Sequence, residues 1–411
     1  MPRRWWLGCL MSAGILISYI DRVNISHALL PMAADLHLSP VEQGIVLSAF
    51  SWGYVALMAV GGLIVDRIGP LRASASAASA WSVATALTGA AWSFPTLLAS
   101  RVAVGAGEAP IFPANARLVR EEFPLDERGR ATALFDAGSY IGTALSAPVV
   151  VFLMVWFGWR VSFLVCSLLG FVWVTVWRHV APRLCESDIR HFRFEGRAHI
   201  PPRDVSRLMQ SRKVIGASYG FFAYNYAKSF FLTWFPAYLV SERGFSFLEV
   251  GIVGMLPPTC AVFGEFAAGA STDKLIQGGW SVTVARKLPL CTGMLLASSI
   301  ALTEMVSSEW AVLTLLSFAF AATIAASPGI WAIPGDIAPA KEYVGTIGGI
   351  QNTFSNLAGI VAPVVTGLLV GWTGSFTPAL VVSGIIAVSG AASYWFVVGE
   401  LSPIDIAEEG G

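Results

Sequence analysis

What most constrains this chain is a succession of apolar runs, each about as long as a bilayer is thick. A helix needs about 20 residues to cross, and the first run, Trp5 to Leu30, is long enough. Short polar or Gly/Pro breaks divide the chain into twelve candidate helices. Six of them lie at about Trp5–Leu30, Val41–Val65, Leu71–Trp92, Phe94–Val119, Arg130–Phe157 and Val161–Val180. After a polar stretch from Ala181 to Lys213 come Val214–Val240, Leu248–Ala270, Leu288–Met305, Trp310–Ile337, Val344–Trp372 and Phe376–Val398. The expected fold is an all-α membrane protein of two six-helix bundles, 1–180 and 214–411, joined by a basic cytoplasmic linker at 181–213.

Composition agrees. Of 411 residues, 13% are charged and 55% hydrophobic, against roughly 25% charged in a soluble domain. Mean hydropathy is +0.66. Formal net charge is zero, which implies no nucleic-acid surface. The five cysteines lack CxxC or Cys/His spacing, so no metal site is expected; four read as small hydrophobes and Cys185 as a loop thiol. Arg3-Arg4 ahead of a long apolar run reads as a first membrane helix that stays attached.

The 26 Lys and Arg residues are distributed unevenly. Arg160 and Arg243 fall on one side of the bundle, and Arg22, Arg101 and Lys228 fall inside helices. The remainder gather on the other side. The positive-inside bias then places both termini and the linker in the cytoplasm.

Charges inside the spans are the functional signal. A charge at mid-helix costs about 2.5–3.5 kcal/mol on insertion scales, so it is carried only where it pairs or meets water. Tyr19-Ile20-Asp21-Arg22-Val23-Asn24 sits inside the first run. Asp21 and Arg22 are adjacent and therefore point about 100° apart. One is expected to face a central chamber and the other the packed helices. Arg101 and Glu108, seven apart on the fourth helix, share a face, with Gly105 and Gly107 leaving room between them. Arg101 is a candidate partner for Asp21. The structural alternatives are an Asp–Arg pair that only locks helices and a Glu108 held by Arg101.

The chain repeats at half-length. Gly62-x-x-x-Asp66-Arg67-x-Gly69 after the second helix is echoed by Gly269-x-x-x-Asp273-Lys274 after the eighth, 207 residues on. Two like halves with a ligand held between them near mid-membrane is a transporter plan.

These loops, with Arg72 completing the first, resemble the signature of the major facilitator superfamily. A narrower resemblance is to its anion:cation symporter branch, which includes galactonate, hexuronate and glucarate carriers. It rests on Tyr19-Ile20-Asp21-Arg22-x-Asn24, Phe50-Ser51-Trp52-Gly53-Tyr54, Arg101-x-x-x-Gly105-x-Gly107-Glu108-Ala109, Leu232-Thr233-Trp234-Phe235-Pro236-x-Tyr238-Leu239 and Gly348-Gly349-x-x-Asn352. Met58 and Val60 depart from the branch's usual Gln and Pro. The resemblance implies Asp21 and Glu108 as proton sites, with Arg101 beside them, and Arg22 as the ligand for a substrate carboxylate. A planar guanidinium suits that role because it binds carboxylate bidentately.

Further candidate substrate contacts are Tyr19, Asn24 and Tyr54 in the first half and Tyr224, Lys228, Trp331, Gln351 and Asn352 in the second. Lys228 either supplies a second cation for a diacid or snorkels to the surface. Gln351 and the tyrosines have a packing alternative. Gly62, Asp66, Arg67, Gly69, Arg72, Gly269, Asp273 and Lys274 are the expected gating-loop residues. The expected function is proton-coupled symport of a small organic anion, a sugar acid, by a monomer in the cell (inner) membrane. The proton gradient drives it, and neither cofactor nor metal is needed. An organic-anion exchanger or exporter and a non-transporting anion sensor are the alternatives. No GxSxG or phosphate-loop motif points to an enzyme.

Overall fold

Each of the twelve apolar runs is helical in the computed structural model, which describes residues 2–124, 127–185 and 201–405. The first three spans are Arg3–Leu36, Pro40–Ile68 and Pro70–Gly89. The fourth is Phe94–Glu108 continued by Ile111–Glu122. The fifth and sixth are two helices within Arg128–Leu184 that meet at a kink at Gly158, whose φ of 81° only glycine adopts freely. A short helix, Pro202–Gln210, precedes the seventh span, Arg212–Thr233 with Phe235–Ser241. The eighth is Phe247–Val253 with Leu256–Gln277, and the ninth Val282–Ala297 with the 3-10 turns Ser298–Met305. The tenth is Glu309–Ala325 with Ser327–Ile337, and the eleventh Val344–Asn356 with Ala358–Thr373. The twelfth is Thr377–Ala392, ending in a π-turn at Ser393–Val397.

Seven of the helical stretches among the described residues are long and apolar enough to cross a bilayer by themselves. The third, fourth and seventh spans are more polar. The third is rich in Ala and Ser, and the other two carry Arg101, Glu108 and Lys228. Four breaks fall beside proline, which lacks the amide that the helix ladder needs. Pro110, Pro236, Pro257 and Pro328 each lie at or within two residues of one.

The half-chain repeat extends to helix starts. Ser39 and Glu42 form a capping box at the second span, and Ser246 and Glu249 form the same box at the eighth. In each, the serine hydroxyl accepts from the glutamate amide while the glutamate carboxylate accepts from the serine amide, which satisfies donors that a helix start leaves open.

The chain divides into two compact units, Met1–Glu195 with Leu232–Met255 and Gly196–Phe231 with Leu256–Gly411. These differ from the expected division at 232–255. Those residues pack onto the first unit because the eighth span offers Gly251 and Gly254 to the fifth. A Cβ on either would stand 3.0 Å from Val151 or Ala147.

In the first unit, small residues bring backbones together. A Cβ on Gly105 would run into the Phe50 carbonyl, and one on Gly53 into the Val102 carbonyl, so the second and fourth spans cross in backbone contact. Trp81, Trp173 and Trp177 stack through the core, with neighbouring centroids 6.4 and 4.8 Å apart.

In the second unit, the ninth span begins at Val282, six residues before its expected start at Leu288, so Lys287 lies buried within it. Its ammonium donates to the Gly399 carbonyl past the twelfth span's end, and Lys213 donates to the Ser402 carbonyl at 2.8 Å. Two cations thus hold carbonyls of the non-helical segment beyond the twelfth span.

Candidate functional site

The site grows from the packing of the fourth span. Gly105 sets it against the second span, and Gly107 sets it against the third, where a Cβ would come 2.8 Å from the Trp81 amide. Glu108 follows at the helix end and is thereby delivered to the first span, fully buried. Arg22 donates to Glu108 Oε2 through Nη2 at 2.7 Å and Nε at 3.3 Å, and Ser18 donates to the same oxygen at 3.1 Å. Glu108 Oε1 has no hydrogen-bond partner.

Arg22 also sits among aromatic faces. Its guanidinium carbon lies 4.5, 4.3 and 5.3 Å from the ring centres of Tyr19, Phe50 and Tyr54. Each desolvated cation–π contact contributes up to about 2 kcal/mol. The side chain keeps 19% of its surface exposed, while Glu108 keeps none.

Asp21 turns the other way, into the bundle. It is fully buried, and neither carboxylate oxygen has a hydrogen-bond partner. The Trp81 indole N–H faces it without closing a normal hydrogen bond, and Arg101 and Glu108 act on it through space. Arg101 is also fully buried. Its Nη2 donates to the Arg22 carbonyl at 3.2 Å, while Nε and Nη1 are unpartnered. An arginine stays charged, so Asp21 and Glu108 compensate it at a distance. The expected Arg101–Asp21 contact, and the alternative Arg101–Glu108 contact, give way to Arg22–Glu108. Four ionisable groups, two acids and two bases, are thus assembled with one direct ion pair between them.

Asn24 lies deeper than a ligand contact needs. It is fully buried, its amide donates to Cys166 Sγ at 3.5 Å, and its carbonyl accepts from Ser162 at 3.3 Å. Reading the sequence alone misses Ser18, Phe50 and Trp81. Ser18 is one turn before Arg22 on the same face, Phe50 lies inside a quoted motif, and Trp81 is the one large residue in an Ala/Ser run.

The remaining candidates belong to the second unit. Lys228 is half-buried, with its ammonium 5.9 Å from the Tyr224 ring centre. Trp331 is 56% exposed and meets the Phe221 ring edge-on at 5.2 Å. Gln351 is buried and donates to the Ile330 carbonyl at 3.3 Å, with its own carbonyl unpartnered. Asn352 is half-buried, and its side-chain carbonyl accepts from Asn356 at 3.2 Å.

A family model described as Major Facilitator Superfamily matches residues 11–363. The chain belongs to that superfamily. It is therefore a multi-pass membrane transporter and not an enzyme. A probable galactarate/D-glucarate transporter of Escherichia coli (strain K12) is 36% identical over 95% of this chain and 93% of its own. The D-galactonate transporter of E. coli O6:H1 (strain CFT073 / ATCC 700928 / UPEC) is 31% identical over 98% and 97%. The hexuronate transporter of Bacillus subtilis (strain 168) is 30% identical over 92% and 90%. Among solved structures, a bacterial homologue of the human lysosomal transporter Spinster matches with a TM-score of 0.80 at 16% identity, covering 97% of each chain. A D-xylose–proton symporter matches at 0.78 and 16%, covering 96% and 98%. At that identity these two show the major facilitator fold alone.

The superfamily loop closes on the fourth span. Arg117 lies 3.5 Å from Asp66, donates to the Val65 carbonyl at 3.0 Å and pairs with Glu121 at 2.7 Å. Gly69, at φ 81°, makes the turn into the third span. Arg67 and Arg72 are exposed, and Gly62 has open space where a Cβ would be. In the repeat, Asp273 and Lys274 are exposed and Gly269 is likewise open.

Proposed function

We propose that the protein is a proton-coupled symporter that takes up a sugar acid by alternating access, as a monomer in the bacterial inner membrane with both termini cytoplasmic. The observation that carries this is the Arg22–Glu108 pair. All of its hydrogen bonds converge on Glu108 Oε2, which leaves buried Oε1 unpartnered.

A proton arriving on Oε1 neutralises Glu108 without displacing Ser18. Arg22 then loses its counter-charge but stays oriented by Tyr19, Phe50 and Tyr54. A substrate carboxylate replaces Glu108 as its partner, with the bidentate geometry that a guanidinium offers. Arg22, Arg101, Asp21 and Glu108 sum to zero when all are ionised. One proton makes the cluster +1, and one carboxylate restores neutrality. Proton and anion therefore favour each other's binding, which is the coupling a symporter needs. Asp21, buried beside Arg101, is a second proton site on the same argument.

The substrate class rests on the relatives, whose names specify galactarate/D-glucarate, galactonate and hexuronate. Lys228 adds a membrane cation that suits a diacid. The test is uptake of labelled D-glucarate, D-galactonate and D-glucuronate into proteoliposomes. Accumulation of at least one is expected when the outside is acidified. Uptake of all three that ignores an imposed pH gradient would refute the coupling.

A further inference from the structure

We propose that a groove between the inner ends of the third and sixth spans binds one anionic phospholipid, which seats its phosphate between Arg72 and Arg178. The groove encloses about 520 Å³ and is lined by Ile68, Leu71, Ala75 and Trp177 together with the two arginines. That is ample for a headgroup and the start of a chain, since small-molecule sites run about 300–1,000 Å³. Among the described residues, no carboxylate lines it.

Two observations select the occupant. The first is charge. Arg72 and Arg178 are both exposed, and neither forms a hydrogen bond or ion pair with another described residue. Two other arginines of the first unit are employed otherwise. Arg117 holds Asp66, and Arg128 donates to the Arg120 carbonyl at 2.8 Å. The second is the apolar path leading away. Leu168, Val172 and Val176 are 61%, 61% and 41% exposed, one turn apart on the sixth span's outer face. That stripe runs from the groove toward mid-membrane and suits an acyl chain. Two cations without a partner among the described residues, above an apolar stripe at the Lys/Arg-rich membrane face, call for an amphiphile with a negative head. The floor is fixed. The buried Trp177 donates its indole N–H to the Leu71 carbonyl at 3.0 Å, which ties the two spans together beneath the site.

The site lies apart from the Arg22–Glu108 cluster and does not depend on what that cluster transports. It does rest on this end of the spans lying at a lipid headgroup layer. Native mass spectrometry of the purified full chain, titrated with dioleoyl-phosphatidylglycerol or dioleoyl-phosphatidylcholine, tests it. The wild type is expected to retain one phosphatidylglycerol at concentrations where phosphatidylcholine is lost. Each arginine removed should weaken retention about fivefold, so Arg72→Gln with Arg178→Gln should weaken it roughly 25-fold. Ser76→Phe keeps both arginines but fills the groove, and it should also abolish retention. Equal retention of both lipids, or undiminished retention by both variants, would overturn the proposal. So would sn-glycerol 3-phosphate competing as effectively as the whole lipid, since that would mark a free-phosphate site.

Discussion

Arg22 and Glu108, 86 residues apart in sequence, meet at 2.7 Å, with the acid wholly buried and the base partly open. Removing one member of a buried pair strands the other, at a cost of about 3–5 kcal/mol, whereas removing both is far milder. Arg22→Met should therefore lower the melting temperature sharply. Glu108→Gln should lower it less, because the aromatic faces still hold the cation. The double variant should melt above the value that the two single effects predict by addition. Strict additivity in that cycle would mean that the pair is not coupled in the folded protein.

Gly105→Ala tests the helix crossing that delivers Glu108. The new Cβ would run into the Phe50 carbonyl and lie 2.9 Å from the Tyr54 amide, both backbone and both rigid. Overpacking of this kind costs about 1–3 kcal/mol. Thermal melting should show the loss, and Gly62→Ala, with open space at its Cβ, should show almost none.

Much of the scaffold was legible because lipid leaves little choice. Run length set the twelve spans, and proline marked several of their breaks. The residues of the cluster were legible for the same reason, since Asp21, Arg22, Arg101 and Glu108 are costly in an apolar run. Their pairing was not. Spacing along one helix put Arg101 and Glu108 on a shared face. Which neighbour each meets depends on how Gly105 and Gly107 seat the fourth span against two others. Asn24 shows the same limit, since its motif position does not reveal that Cys166 and Ser162 occupy its amide. The ninth span starts earlier than expected because Arg286 and Lys287 read as its polar flank until the carbonyls that hold Lys287 are in view.

Lys287 supports its own test. It is 2% exposed and donates to the Gly399 carbonyl, so Lys287→Met would strand that acceptor. A lost hydrogen bond to a charged group costs about 1.5–3 kcal/mol. The variant should melt earlier and expose the chain beyond 399 to carboxypeptidase sooner. Lys287→Arg should recover much of the loss.

Arg4 and Glu127 give a pH signature at the start of the fifth span. Arg4 donates to both Glu127 oxygens, at 2.8 and 3.1 Å. That holds the Glu127 carboxyl below the usual glutamate range. A carboxyl depressed by folding stabilises above its unfolded value and loses that contribution as pH falls through the folded one. Glu127→Gln should therefore melt below wild type near neutrality, and the gap should close on acidification. A gap that widens toward acid would contradict the assignment.

The most direct measurement compares Glu108→Gln with wild type in two assays on one proteoliposome preparation, using whichever sugar acid the wild type accumulates. Gradient-driven accumulation requires the proton, whereas counterflow of labelled against unlabelled substrate requires only binding and alternating access. The account predicts that Glu108→Gln abolishes the first and keeps the second, because a permanently neutral residue 108 leaves Arg22 free for carboxylate. Gradient-driven accumulation surviving at the wild-type level in Glu108→Gln would contradict it.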